Sequence, residues 1–405
     1  MAALSIDVVT IYTARSEAQL AADSAALAGA RVLANSGVTS NPSSGLIGSA
    51  WTLASAVATR VAEQNLVGGA YLTSSEITIP AAAGGTNTNP TITVSVEVSN
   101  LPTFFARIWG RTNFTVKASA TAEAYNPSGA NALGGTTIPV APICVKPWLL
   151  PNIDPTQVSA GGPSIFDPTT GAIKDPSLVN KGWPGTSGLR SRPFNAPGPL
   201  PGRFYAGLID AADFPEPTQA LPACSASFSK YLYMVAIAGC VPRPIPCGAG
   251  ATINIDTTAY ASKTGSRNGD TVEAVDCLIH YNNAAGDTDS IDTTVSPTPP
   301  FQFLAGSQNP VVSDKDVLVS DSLVTIPVYD SAAGGPPGGS SVTVVGFLQV
   351  FLNPASATMP PSSPPAGAQI PVTIINMVGC GTSATGQPIL GNGASPVAVR
   401  LITPP

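Results

Sequence analysis

The sequence is poor in charged residues and nearly lacks histidine. Asp, Glu, Lys and Arg make up only 10% of its 405 residues, and His280 is the single histidine. Ordinary soluble domains carry about 25% charged residues. The 18 Lys and Arg residues are scattered along a chain of net charge −6. Because proteins that bind nucleic acid need a basic patch against the phosphates, this composition excludes nucleic acid as a partner.

The chain also lacks the residue spacings that accompany catalysis and metal binding. It contains no G-x-S-x-G elbow, no H-E-x-x-H pair and no phosphate-binding loop, and His280 has no nucleophile motif beside it. The acidic loop GDTDSID, with Asp287, Asp289 and Asp292, lacks the glycine and the distant glutamate of an EF-hand, which favours a solvated turn over a calcium site. We therefore predict no catalytic residue, no metal, no cofactor and no enzymatic activity.

A long hydrophobic run is missing from the start of the sequence. The opening MAALSIDVVTIYTARSE is interrupted by Asp7 and has neither the basic segment nor the cleavage site of a secretory signal. We expect any export signal to lie upstream of Met1 or to take a form that this sequence does not show.

Proline and glycine are abundant, with 41 and 39 residues, and 43% of the chain is hydrophobic. Enough apolar surface is available to offset the entropy of folding, so the composition argues against disorder. A chain of this length predicts two domains. We place them at 1–126 and 127–405, the second being loop-rich over 127–222 and strand-rich over 223–405.

Six cysteines all lie after residue 140: Cys144, Cys224, Cys240, Cys247, Cys277 and Cys380. Metal sites would need close pairs such as C-x-x-C, which are absent, so an even number predicts three disulfides formed in an oxidising compartment. The segment CVPRPIPC is stiff enough to close on itself, but Cys240 and Cys247 fit long-range pairs equally well. The pairing stays open at this point.

An alanine-rich stripe runs along the first predicted helix. Its heptad positions are Leu4, Ile11, Ala14, Ala18, Ala21, Ala25, Ala28 and Val32. Small side chains bring helices close together, so the partner is another smooth helix or a flat sheet. It belongs either to a neighbouring copy or to the same chain, where the second predicted helix starts near Ile47 and ends at Gly68. One short partner helix cannot cover the first helix, and we expect something else, such as a second copy, to bury its other apolar residues: Val8, Tyr12, Leu20, Ala22, Ala26, Leu27, Gly29 and Leu33.

Two strands with alternating apolar residues follow, at 92–99 and 114–125. The link between them, LPTFFARIWG, predicts a helical turn whose Phe104, Phe105, Ile108 and Trp109 plug one end of the core; a ligand or lipid site is the alternative. Further strands are predicted at 252–258, 271–279, 322–330, 341–352, 371–379 and 397–403, which implies an antiparallel sandwich or sheet.

Two segments resemble the TadE/TadG-like proteins of the Flp, or tight-adherence, pilus assembly system of bacteria. They are ALSIDVVTIYTARSEAQLAADSAALAGARVLA and PTFFARIWGRTNFTVKASATAEA. The likeness covers roughly the first 125 residues, with weaker likeness in VKPWLLPN, LVTIPVYD and VTVVGFLQVFL. Family members carry a membrane-spanning segment before this point, so the resemblance implies membrane contact only through a segment upstream of Met1.

The combined prediction is an α+β protein. An N-terminal, pilin-like helical hairpin on a small antiparallel sheet is followed by a larger, mainly β, disulfide-stapled region rich in Pro and Gly. The resemblance implies a non-enzymatic structural protein of the bacterial cell surface, exported and extracellular, which assembles with itself and with pilus machinery through the alanine-rich helix. The alternative is a membrane-anchored adhesin or an accessory protein of pilus assembly.

Overall fold

The computed structural model describes residues 2–81, 89–129, 137–157, 161–182, 188–191, 198–213, 232–256, 268–282, 284, 286–291, 302–312, 316–317, 319–332, 341–353, 369–390 and 395–402. The chain divides into two compact units. The first comprises Met1–Tyr125 with Val399–Pro405, and the second comprises Asn126–Ala398. Helices and several small sheets occur together, as the predicted α+β class requires.

The described residues of the first unit form two α-helices and six strands. They are α1 (Ala2–Asn35), α2 (Ser44–Glu63), β1 (Leu66–Val67), β2 (Ala70–Tyr71), β3 (Ile77–Thr78), β4 (Thr91–Pro102), β5 (Asn113–Tyr125) and, at the far end of the chain, β18 (Ala398–Ile402). β1 and β2 pair with each other, and the remaining four form a sheet in the order β18-β5-β4-β3. The strand predicted at 397–403 therefore pairs beside β5.

The core of the first unit lies between α1, α2 and the long antiparallel pair β4–β5. Alternate residues of β4 are buried, from Ile92 to Val98, and the small residues from Ala118 to Ala124 face the same core from β5. α1 packs on both strands and on α2. Gly29 shows how close this packing is, because a Cβ there would lie 2.7 Å from Ile92 Cδ1 and 3.3 Å from the Ala54 carbonyl oxygen. Small side chains permit this short approach.

The second unit contains two described helices and twelve described strands. They are β6 (Val140–Ala141), β7 (Trp148–Pro151), β8 (Arg190–Ser191), β9 (Arg203–Ala206), α3 (Leu232–Ala238), β10 (Thr252–Asn254), α4 (Asn268–Leu278), β11 (Ser290–Ile291), β12 (Phe303–Leu304), β13 (Asp316–Val317), β14 (Leu323–Tyr329), β15 (Ser341–Leu352), β16 (Val372–Gly379) and β17 (Ile389–Leu390).

The main sheet of the second unit is mixed rather than purely antiparallel. β10, β14 and β16 each pair antiparallel with β15, whereas β7 runs parallel to β14 and β8 parallel to β9. The Pro-rich region before residue 222 thus supplies four short strands, three of them in this sheet. The strands predicted at 322–330, 341–352 and 371–379 are confirmed, and Trp148, Phe204 and Leu348 lie in the core behind them.

The strand predicted at 271–279 is wrong, since these residues lie mostly in α4. Its Val and Ile residues suggested a strand, but the exposure pattern is helical. Thr271, Ala274 and Leu278 are buried, whereas the polar Glu273 and Asp276 stand three residues apart on the more exposed face. That spacing matches a period of 3.6 residues, and burial against the sheet outweighs the weak strand preference of the side chains.

Two disulfides link distant parts of the second unit, Cys144 to Cys240 and Cys247 to Cys380. Of the two alternatives for the CVPRPIPC loop, the bond between Cys240 and Cys247 is therefore wrong, because both cysteines pair at long range. Cys277 is also disulfide-bonded, and Cys224 lies outside the described residues. The separations of 96 and 133 residues mean that each bond closes a large loop and strongly restricts the unfolded chain.

Candidate functional site

The alanine stripe of α1 is buried inside the protein's own first unit. Ala14, Ala18, Ala21, Ala25 and Val32 are at most 3% exposed, Ile11 and Ala28 are half-buried, and the side chain of Leu4 lies outside the described residues. Their neighbours are α2 and the β4–β5 pair. The prediction that this stripe packs against a neighbouring copy is corrected accordingly: the intramolecular alternative holds, and another molecule has no access to it.

Asp7, the one acidic residue on the stripe, binds the turn between β4 and β5. Its carboxylate accepts hydrogen bonds from the backbone N–H groups of Phe104 at 2.8 Å, Phe105 at 3.0 Å and Ala106 at 2.6 Å. Desolvation raises the pKa of this carboxyl, but the three N–H donors more than offset it and hold the pKa below its usual value. Asp7 is therefore an anion at neutral pH, with its charge directed at the backbone.

The same turn is closed by further hydrogen bonds. Ala106–Trp109 forms a single 3-10 turn that ends at Gly110, whose φ of 78° is left-handed and favours glycine. The Thr103 hydroxyl donates to the Arg111 carbonyl at 2.6 Å, and the Arg111 N–H donates to the Ala106 carbonyl at 3.2 Å. The turn is thus fixed both within itself and to α1.

The large side chains of this turn point to solvent. Phe104 is 59% exposed, Ile108 73% and Trp109 68%, so the prediction that they plug the core is wrong. Within 104–109 only Ala106 is buried, and Phe105 is half-buried. The turn is held to α1 by its backbone N–H groups, which Asp7 binds.

The beginning of α1 exposes apolar side chains beside this turn. Ile6, Val8 and Val9 flank Asp7 in sequence and are 46 to 63% exposed, and Tyr12 is 73% exposed. We name the α1 tip the set formed by Ile6, Val8, Val9, Tyr12, Phe104, Ile108 and Trp109. Of the further apolar residues of α1, Ala22, Ala26, Gly29 and Leu33 are buried within the chain, so for them the expectation of another cover is wrong. Val8, Tyr12 and Leu20 remain exposed in the part of the chain that the structure describes.

Two arginines accompany the α1 tip. Arg107 lies inside the 3-10 turn and Arg111 follows it, and both are exposed. Neither forms an ion pair with any residue that the structure describes. Asp7, the acid that binds this turn from α1, is buried with both oxygens occupied. Sequence reasoning missed these arginines, because no motif singled them out.

The sequence candidates for chemistry lie in the second unit and are engaged in structural contacts. His280 Nε2 lies 2.9 Å from Asp321 Oδ2, in a partly exposed pair. Lys146, which the sequence did not single out, is 4% exposed, and its Nζ donates to the carbonyls of Ile237 at 2.6 Å and Gly239 at 2.7 Å at the end of α3. Burial lowers the pKa of Lys146 to about 7, while the charge of Asp321 raises it.

The acidic loop is a buried, hydrogen-bonded turn rather than a solvated one. Asp287 accepts bonds from the N–H groups of Asn282 and Ala284, and Asp289 from the N–H of Gly306 and the hydroxyl of Ser320. Asp292 lies outside the described residues. Donors aimed at a carboxylate occupy the lone pairs that a cation would need. Across the residues that the structure describes, no three His, Cys, Asp or Glu side chains are grouped to hold a metal.

The geometry defines a helix–sheet unit with an exposed apolar tip. A family model described as "Putative Flp pilus-assembly TadE/G-like" matches residues 1–32, which is nearly all of α1, and it confirms the predicted resemblance there. No curated protein and no solved structure matches the chain. The family match associates the protein with Flp pilus assembly and with the cell surface. Among the described residues, none of the helices combines the length and the apolar character needed to span a membrane.

Proposed function

We propose that this protein is a non-enzymatic structural protein of the bacterial cell surface that is built into the Flp pilus or into its assembly apparatus. The observation that carries the proposal is the position of the matched segment. Residues 1–32 form the helix around which the first unit is organised, so the likeness falls on the central element of a folded unit. The α1 tip remains uncovered by the described part of this unit.

The second unit would then form the outward-facing body. Its core is a seven-stranded sheet, and two long-range disulfides keep its loops together in an oxidising environment. The protein's low charge and many prolines suit a surface exposed outside the cell. Contacts with further copies would use surfaces other than the buried alanine stripe.

A second role, a membrane-anchored accessory protein of pilus assembly, is favoured by that same buried stripe. A pilus subunit that assembles by close helix packing needs a free face of small residues, and here the face is occupied by α2 and the sheet. An accessory protein needs no such face.

Electron microscopy of material sheared from cells tests the two roles. An antibody against residues 127–405 should label filaments along their length if the protein is a subunit. Retention in the membrane fraction, together with loss of pili when the gene is deleted, would identify the accessory role. Normal pili after deletion, with no label on them, would contradict both.

The absence of enzymatic activity is tested with the same cells. His280→Ala removes the only imidazole and should leave the number of pili unchanged. Asp321→Asn, which alters the partner of His280 but keeps the ring, is the matched control. Loss of pili in the first variant alone, with the protein still present at normal levels, would argue for a chemical role of the histidine.

A further inference from the structure

We propose that the disulfide between Cys144 and Cys240 is a site of thiol–disulfide exchange, at which an external thiol opens the bond while the fold persists. The ligand is a thiol, supplied either by a small molecule or by a cysteine of another protein. The proposal concerns the chemistry of one bond in the second unit. It therefore goes beyond a role in pilus assembly and does not depend on it.

Exposure distinguishes this disulfide from the other cysteines that the structure describes. Cys144 and Cys240 are both half-buried. The remaining described cysteines are buried, with exposed fractions of 3% for Cys247, 6% for Cys277 and 0% for Cys380. Exchange requires a thiolate to reach a disulfide sulfur, so access controls its rate. Among the described cysteines, an external thiol therefore reaches the bond between Cys144 and Cys240 first.

The backbone at Cys144 is strained. Its φ is 58°, in the left-handed region that favours glycine, and among the described cysteines Cys144 alone has a positive φ. A residue with a Cβ stays in that region only where its surroundings hold it there. The bond to Cys240 is one of these restraints, so opening it allows the backbone of Cys144 to relax. Disulfides that are exposed and strained are the labile ones.

Other contacts keep the two cysteines side by side when the bond is open. The Cys144 N–H donates to the Val241 carbonyl at 3.0 Å. Lys146 Nζ donates to the carbonyl of Gly239, the residue before Cys240, at 2.7 Å. Neither hydrogen bond involves sulfur, so both persist after reduction. The two thiols then have a high effective concentration for each other, and the disulfide re-forms when the external thiol is removed.

The buried disulfide between Cys247 and Cys380 holds the fold during the exchange. The loop of residues 240–247 is anchored at one end by Cys240 and at the other end by Cys247. Opening the first bond leaves the second in place, so the change is a local opening and not the unfolding of the unit. The two bonds therefore have different roles, one in exchange and one in stability.

The exchange balances with two external thiols, RSH, as the reductant. The thiolate of the first attacks the sulfur of one cysteine and forms a mixed disulfide. The electron pair of the broken S–S bond stays on the sulfur of the other cysteine, which takes up a proton. A second thiolate attacks the external sulfur of the mixed disulfide, releases RSSR and leaves the first cysteine as a thiolate that is protonated in turn. Two RSH are thereby oxidised to RSSR, and the protein gains two thiols.

Differential alkylation of the full chain tests the proposal. Native protein is incubated with reduced glutathione, free thiols are blocked with N-ethylmaleimide, and mass spectrometry measures the labelled fraction at each cysteine. We expect Cys144 and Cys240 to be labelled at least about tenfold faster than Cys247, Cys277 and Cys380, with an unchanged circular dichroism spectrum. A thioredoxin-type dithiol protein at equal thiol concentration is the second arm. Faster labelling in one arm identifies the source of thiol that the site admits.

Two single variants form a matched pair. Cys144→Ser leaves Cys240 as a half-buried thiol, and Cys247→Ser leaves Cys380 as a fully buried thiol. With oxidised glutathione, the first variant should form a mixed disulfide at least about tenfold faster than the second. The wild-type labelling experiment decides the matter where a variant fails to fold.

Three outcomes would overturn the proposal. Equal labelling rates at all cysteines would mean that reduction proceeds through unfolding of the whole unit. Faster labelling of Cys247, Cys277 or Cys380 would place the exchange at a buried bond. Loss of the native circular dichroism spectrum together with labelling of Cys144 and Cys240 would make their bond structural. None of these readouts involves pili, so they are independent of the filament-labelling experiment.

Discussion

The free energy of unfolding of the wild-type protein should rise between pH 7 and pH 10 because of Lys146, and replacing Lys146 by methionine should abolish that rise. The amine is buried and has two carbonyl partners, those of Ile237 and Gly239. A neutral amine has two N–H donors and satisfies both carbonyls, whereas the ammonium form has a third donor to satisfy in a buried place. Burial is the larger influence, and it lowers the pKa from 10.5 to about 7 despite the attraction of Asp321.

The direction and size of the effect follow from proton linkage. Between pH 7 and 10.5 the unfolded chain keeps the proton on Lys146 and the folded chain has lost it, so the free energy of unfolding rises with pH. One pKa unit corresponds to about 1.4 kcal/mol, which makes the full rise about 5 kcal/mol and the part up to pH 9.5 about 3 kcal/mol. Below pH 7 both states carry the proton, and the penalty for burying it is constant.

Guanidinium unfolding of the wild type and of Lys146→Met at pH 6.5, 8.0 and 9.5 provides the measurement. Methionine keeps most of the length of the side chain and leaves two carbonyls without a donor, which costs the variant the same free energy at every pH. All other titrating groups are shared by the two proteins. The difference in unfolding free energy should therefore change by about 3 kcal/mol across this range. Parallel pH profiles would refute the lowered pKa.

Three further perturbations test the packing, the disulfides and the turn. Ala21→Leu with Ala25→Leu should destabilise the first unit by about 2 kcal/mol or more through overpacking, which lowers the melting temperature. An unchanged melting temperature would mean that the alanine stripe is not buried within the chain. Cys247→Ser with Cys380→Ser should reduce the unfolding free energy by about 4 to 5 kcal/mol, and an unshifted guanidinium midpoint would contradict the long-range bond. Asp7→Asn should speed hydrogen exchange at the three amides it binds, and in wild type the protection should be lost only below the usual titration range of aspartate, because the pKa of Asp7 is lowered.

The two helices and the two long strands of the first unit could be predicted because each shows a buried face in its sequence pattern, whereas the two-residue strands β1, β2 and β3 are too short to show one. Ile92, Val94 and Val96 alternate with polar residues, and the structure buries all three. α1 and α2 show helical spacing for the same reason. In the segment 271–279 the Val and Ile residues outweighed the helical spacing of Glu273 and Asp276 in the reading of the sequence, and α4 was therefore predicted as a strand.

The functional surface could not be predicted, because its parts are far apart in the sequence. Asp7 and the N–H groups it binds are 97 to 99 residues apart, and a backbone donor has no sequence signature. The partners of Cys240 and Cys247 were equally hidden, because pairing is set by the fold and not by the spacing of cysteines.

The position of β18 sets an order of completion for the growing chain. This strand joins β5 from the far end of the sequence, and Arg400 Nε lies 2.9 Å from Glu123 Oε2, 277 residues away. The 272 residues from 126 to 397 lie between the two strands, and their synthesis takes roughly 14 to 54 s at the usual rate. For that interval β5 keeps an unpaired edge that can recruit other strands. The first unit is thus the first to be synthesised and the last to be completed. A chaperone that shields the edge of β5 would bind the chain only in the interval before β18 is made.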